Sequence, residues 1–148
     1  MDAKEFLHKV SSLIDESPAA VMATVDNDGN PHIRWMIPTV LMGSPGLIYA
    51  VTSPDAKKVD DLKANQKSEW LIQKRDLGEI LNVSGPTRVL DNPSLMAQVV
   101  EKLGRKIQFF WKYNAETYDF HVIEVSIENG VYYKPARGHK EYISITEE

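Results

Sequence analysis

The chain opens on a helical pattern. Phe6, Leu7, Val10, Leu13 and Ile14 recur at helical spacing and form one apolar stripe over residues 2–16. Asp2 followed by Glu5 has the form of a capping box. Ser17-Pro18 ends the helix, because proline disfavours helical geometry in the residue before it. The period then changes to two. Over residues 19–26, Val21, Ala23 and Val25 fall on one face and Met22 and Thr24 on the other, a strand with both faces fairly apolar. Asn27-Asp28-Gly29-Asn30 is a hairpin signal, since Asp-Gly tolerates positive φ. A second strand is predicted over 31–41, a turn at Gly43-Ser44-Pro45-Gly46, and a third strand over 47–52.

Ser53-Pro54-Asp55 reads as a helix start, with serine as N-cap and proline at the first position. That helix runs to about Asn65, with Ala56, Val59 and Leu62 on its buried side. Strands follow over 69–74 and 79–90, the second interrupted at Gly85-Pro86, where proline suggests a bulge or an edge. Asn92-Pro93 starts a helix carrying Met96, Val99, Val100 and Leu103 on its apolar face, and Gly104 closes it. Residues 105–118 are aromatic-rich, with Phe109, Phe110, Trp111, Tyr113 and Tyr118; such a run suits core or an oligomer surface. Two strands, 120–127 and 131–134, flank the turn Glu128-Asn129-Gly130, and a loose polar tail is expected from Arg137. No repeat or linker divides residues 1–148, which read as one domain. Six or seven strands joined by short turns, with three helices, predict a closed or nearly closed antiparallel barrel flanked by helices.

Composition narrows the chemistry. At 148 residues and 43% hydrophobic, the chain has enough apolar content for a core. It has no cysteine, which excludes disulfides, iron–sulfur clusters, thiolate zinc sites and a cysteine nucleophile. A formal net charge of −4 argues against nonspecific binding to nucleic acid or anionic membranes. No apolar run approaches the roughly 20 residues of a membrane span. The first residues, with an early acidic pair and no apolar segment, do not read as a secretory signal. The expectation is a soluble cytoplasmic protein.

One constellation stands out. Arg34 lies on the second strand, Thr52 and Ser53 end the third, and Lys57 and Lys58 occupy the first turns of the next helix. Adjacent strands and a helix start can bring these together as a phosphate site, because helix N–H groups and the dipole favour an anion and arginine grips it bidentately. The alternative is a solvated helix face with Arg34 on an outer strand position. His8, His32, His121 and His139 are widely separated and none has zinc-type spacing to another. No nucleophile elbow, Walker loop or dinucleotide glycine fingerprint is present, so no catalytic residue and no metal ligand is assigned.

Four segments carry a resemblance. They are Gly29-Asn30-Pro31-His32-Ile33-Arg34-Trp35-Met36, Leu47-Ile48-Tyr49-Ala50-Val51-Thr52-Ser53, the lysine-led helix from Lys57 to Asn65, and the strand ending Val83-Ser84-Gly85-Pro86-Thr87. In this order they resemble the pyridoxamine 5′-phosphate oxidase-like family of FMN-binding split barrels, nearest the small bacterial general-stress flavin-binding proteins. The resemblance implies a mainly β, α+β fold: an antiparallel split β-barrel of about six strands with flanking helices. It also implies a homodimer with FMN at the interface. By position, Arg34, Lys57 and Lys58 look like the phosphate ligands. Trp35, Met36 and Ile37 look like the strand along the flavin ring, and Val51, Thr52 and Ser53 like holders of the ring edge and ribityl chain. Trp111 resembles an aromatic position near the partner's flavin. There are departures: Thr39 stands where the vitamin-forming oxidases have a substrate lysine, and Glu79-Ile80 where they have a glutamine. Arg137-Gly138-His139 resembles their arginine-x-histidine substrate pair, with a chance match the competing account. The readings left open are a flavin oxidoreductase, a non-enzymatic flavin-binding stress protein, and a relative that uses a deazaflavin or haem.

Overall fold

The structure, a computed structural model, describes residues 1–107 and 120–145. Helix α1 (Ala3–Glu16) is capped as its sequence predicts. The Asp2 carboxylate accepts from the Glu5 amide at 2.8 Å, and the Glu5 carboxylate accepts from the Asp2 amide at 3.3 Å. Its stripe of Phe6, Val10, Leu13 and Ile14 is buried in the main core. Strands β1 (Ala20–Val25) and β2 (Pro31–Met36) form the first hairpin. Asp26 organises its turn by accepting from the Asp28 and Asn30 amides, both at 2.9 Å, while Gly29 takes a φ of +83°. Then come β3 (Leu47–Thr52), α2 (Lys57–Ala64), β4 (Lys67–Gln73), β5 (Ile80–Leu90) and α3 (Pro93–Leu103). A 3₁₀ turn covers Gly104–Ile107, and β6 (His121–Ser126), β7 (Asn129–Lys134) and β8 (His139–Ser144) complete the described chain.

Among the described residues every strand pair is antiparallel. The path runs β2-β1-β4-β5-β6-β3, with β7 beside β5 and β8 beside β7. Strand β5 is the spine. Its first part pairs with β4 on one side and β7 on the other, and from Thr87 it pairs with β6 instead. Gly85 sits where it changes partners, in a space so tight that a Cβ would stand 1.8 Å from the Ser126 carbonyl oxygen. The curled sheet brings its end strands, β2 and β3, toward each other. The segment just beyond β2 bridges β3, where Thr39 and Tyr49 exchange two backbone hydrogen bonds of 2.8 Å. The architecture is therefore a split antiparallel barrel with helices around it, as expected. Met22, Ile48, Ile72, Leu81, Val83 and Ile123 fill its interior, and α3 covers a second cluster over Tyr49 and Val122.

The sheet also has an outer face. Cross-strand registers place Trp35, Val21, Leu71, Asn82, Val131 and Tyr142 in one row from β2 to β8. Trp35 is 82% exposed, Tyr142 76% and neighbouring Ile33 73%. Among the described residues no helix is long and apolar enough to cross a membrane.

Three expectations are corrected. Strand β2 stops at Met36 rather than 41, because the chain turns inward at Pro38 to make the Thr39 bridge to β3. Helix α2 begins at Lys57, with Ala56 as N-cap; Ser53-Pro54-Asp55 forms a turn, its Ser53 carbonyl accepting from the Ala56 amide at 3.1 Å. The tail from Arg137 is not loose: residues 139–144 pair with all of β7. As an edge strand open to solvent on one face, β8 needs few apolar residues, and only Ile143 is buried.

Candidate functional site

The predicted cations do converge. On β2 the side chains alternate, so Trp35 points outward while Arg34 and Met36 turn the other way. Arg34 reaches across to β1, where its Nη1 donates to Thr24 Oγ1 at 2.7 Å and to the Met22 carbonyl at 3.4 Å. Its Nη2 stands 3.7 Å from Asp61 of α2. From the same helix, Lys57 Nζ donates to Asp61 Oδ1 at 3.1 Å, and Lys58 Nζ turns back to Thr52 Oγ1 at the end of β3, at 3.2 Å. Thr52 is buried, and Ser53 follows it at the mouth of the split.

Helix α2 is held in this place from both ends. Val59 and Leu62 bury its apolar side, and Asn65 Nδ2 donates to the carbonyls of Val25 at 3.4 Å and Asp26 at 3.3 Å. Of its first N–H groups, the Val59 amide is taken by the Ala56 carbonyl at 3.0 Å, and among the described residues no side-chain oxygen caps the start.

The electrostatics match the geometry. Burial, and then the neighbouring Arg34 charge, hold the Lys58 ammonium below its usual pKa. Burial does the same to the Arg34 guanidinium, with Asp61 opposing it. For Asp61 burial is the largest single influence and pushes upward. The Thr24 and Lys57 hydrogen bonds and the Lys57 and His32 charges together outweigh it, so this carboxyl sits below its usual range. Close by, His32 Nε2 lies 2.8 Å from Asp26 Oδ2; that bond, aided by the Asn30 amide, brings Asp26 down to about 2. Three cations against one buried carboxylate leave the mouth of the split positive, a surface suited to an anion.

Met36 is buried in the main core, and Ile37 and Val51 pack against the α3 cluster. The free edge of β2 is unpaired along residues 31–36. Of the aromatic-rich stretch 105–118, residues 108–118, Trp111 among them, lie outside the described residues. Arg137 and His139 are not brought to this cluster within one chain. They lie at the β7–β8 turn, five strand positions from β2, on the order of 20 Å around the sheet. His139 instead stands 3.1 Å from Glu141. Asp61 and Thr24 belong to the cluster as well, although their sequence context does not group them with it. The signal for Asp61 was its place four residues after Lys57, a helical ion-pair spacing.

Comparisons with known proteins agree with this architecture. A protein related to general stress protein 26 (pyridoxine phosphate oxidase family) from Clostridium acetobutylicum superposes with a TM-score of 0.74 at 17% identity, over 96% of each chain. General Stress Protein 26 from Bacillus anthracis gives 0.71 at 20% identity, over 95% of this chain and 99% of that one. A heme binding protein from Mycobacterium smegmatis gives 0.71 at 14%, over 93% of this chain and 57% of that one. At such identities the likeness is one of fold. No curated protein sequence matches the chain. The family model described as pyridoxamine 5′-phosphate oxidase matches residues 6–134, and on that match the chain belongs to the pyridoxamine 5′-phosphate oxidase family.

Proposed function

We propose that the protein binds FMN at the mouth of the split and works as a flavin-dependent oxidoreductase. The observation that carries this is the convergence of Arg34, Lys57 and Lys58 on the uncapped start of α2, with the Thr52 and Ser53 hydroxyls beside it. The donors suit a phosphate: a guanidinium, ammonium groups, hydroxyls and helix N–H groups. The open edge of β2 at Trp35, Met36 and Ile37, facing the end of β3 at Val51, suits a flat ring that needs backbone hydrogen-bond partners. Flavin would supply the hydride or electron chemistry, while these residues bind and orient it. A non-enzymatic flavin carrier would use the same site. Binding at low micromolar affinity or better is the expected result, as an order-of-magnitude figure for a phosphate-held cofactor. Quenching of FMN fluorescence measures it. The absorption spectrum of the purified protein separates a flavin from a deazaflavin or from the Soret band of a haem. A colourless protein that quenches no added FMN defeats the reading. Turnover with a reduced nicotinamide then divides the enzyme from the carrier.

The working form is a homodimer in this reading. The exposed row containing Trp35 and Tyr142, with Ile33 beside it, is more apolar than a water-facing sheet requires. It begins on the strand that borders the cation cluster, so a second copy seated there would cover the flavin. Light scattering should give twice 16.7 kDa. Ile33→Asp puts a charge on that face without touching the core; it should yield a monomer with weakened FMN binding. A dimer unaffected by Ile33→Asp would place the interface elsewhere.

A further inference from the structure

We propose that Asp61 is the positioning residue of the anion site, orienting Arg34 through Thr24 and restraining Lys57 so that Arg34 and Lys58 grip a dianionic phosphate monoester. The identity of that monoester as FMN rests on the function proposed above; the role of Asp61 does not.

The two oxygens of Asp61 have separate partners. Oδ1 accepts from Lys57 Nζ at 3.1 Å. Oδ2 accepts from the Thr24 hydroxyl at 2.8 Å and lies 3.7 Å from Arg34 Nη2. An ionised carboxylate can only accept, so the single hydroxyl proton of Thr24 must point to Asp61. The threonine lone pairs are then left for Arg34 Nη1, which donates to them at 2.7 Å. A chain of fixed direction results, from guanidinium to hydroxyl to carboxylate. It sets the plane of the arginine fork, and the plane decides whether two N–H groups can meet two phosphate oxygens.

Docking α2 does not need this carboxylate, since Val59 and Leu62 already bury the helix face. Asp61 is only 2% exposed and Thr24 1%. Burying a charge for packing alone is unfavourable against an apolar side chain of similar size. The arrangement also divides the two lysines, which sequence spacing treats alike. Lys57 is tied to Asp61 with its side chain 60% exposed. Lys58 is more enclosed, makes no ion pair among the described residues and is held only by the Thr52 hydroxyl. Within the contact set itself, Arg34, Lys57 and Lys58 against Asp61 leave two positive charges, the complement of a phosphate monoester above its second pKa of about 6. A diester offers one negative charge, so the same site favours the monoester.

The test compares wild type with Asp61→Asn, which keeps size and removes charge. FMN and riboflavin are titrated by fluorescence, and the melting temperature is followed against inorganic phosphate. FMN affinity should fall about five- to tenfold, riboflavin affinity should hold, and the phosphate-induced rise in melting temperature should shrink. In an Arg34→Ala background Asp61→Asn should cause almost no further loss, because its effect passes through Arg34. Equal losses for FMN and riboflavin, additive losses with Arg34→Ala, or tighter FMN binding would each overturn the proposal. If wild type binds no flavin, the flavin reading fails and the phosphate measurement still decides: Asp61 keeps its role only if phosphate raises the melting point of wild type more than of Asp61→Asn. Thr24→Val is the second variant, should Asp61→Asn not fold. It removes the hydroxyl at constant volume and should show the same phosphate-selective loss; phosphate and FMN binding like wild type's would defeat the relay.

Discussion

Gly85→Ala should lower the melting temperature by roughly 10 °C or leave the chain unfolded, a loss on the order of 3 kcal/mol or more. The added Cβ would stand 1.8 Å from the Ser126 carbonyl oxygen, 2.9 Å from its carbon and 3.1 Å from the Glu128 nitrogen. All three are backbone atoms and cannot swing aside as a side chain can. Glu128 is further tied by its amide to the Ser84 carbonyl at 2.9 Å, so relief means prising β5 from the end of β6. Total stabilities of about 5–15 kcal/mol make that a large fraction. Thermal and urea denaturation give the answer directly. An alanine variant that melts with wild type would mean that the two strands do not approach this closely.

Arg34→Ala should weaken FMN about ten- to a hundredfold while changing riboflavin little. Removing a charged hydrogen-bond partner from an anion costs roughly 1.5–3 kcal/mol. Arg34 is well placed for such an effect, its side chain only 21% exposed and already held on Thr24. The truncation strands no buried proton, since the Thr24 hydroxyl still donates to Asp61. Lysine should rescue only part of the loss, because an ammonium lacks the planar fork. Parallel titrations with FMN and riboflavin check it, and an equal loss for both would move Arg34 away from the phosphate.

The parts of the molecule that were legible in the sequence are those fixed by local rules. The α1 stripe and its Asp2 cap, the Asp26–Asn30 turn, strand β3 and the Asn92 and Gly104 ends of α3 follow from periodicity, capping and turn chemistry over a few residues. Where two local rules compete, tertiary context chose. Ser53-Pro54 serves a turn as well as a helix start, and the turn is what lets Lys58 fold back onto Thr52. Strand β8 escaped notice because its pattern is nearly all polar. Its place depends on β7, a partner that periodicity does not name. The same division runs through the site. Arg34, Thr52 and Lys58 could be grouped from strand ends and a helix start. Asp61 carries no such mark, because an acid four residues after a lysine is most often half of a solvent-facing ion pair. Its burial against Thr24 arises only when α2 lies across β1, 37 residues away along the chain.

The order of pairing in the sheet has a kinetic consequence. The β1–β2, β4–β5 and β7–β8 pairs are hairpins that close over short loops, on the microsecond scale. The β3–β6 pair joins residues as far apart along the chain as Leu47 and Ser126. Loop-closure entropy and contact order make that pairing slow, and it dominates the time the barrel takes to form. Thr52 ends β3 and holds Lys58 of α2, whereas Arg34 and Thr24 belong to the first hairpin. The Thr52 end of the anion cluster therefore takes its final place only as this late contact is made, while Asp61 and Thr24 meet where α2 lies across β1. A ligand of the cluster acts on the finished barrel: it slows unfolding and leaves the rate of assembly almost untouched.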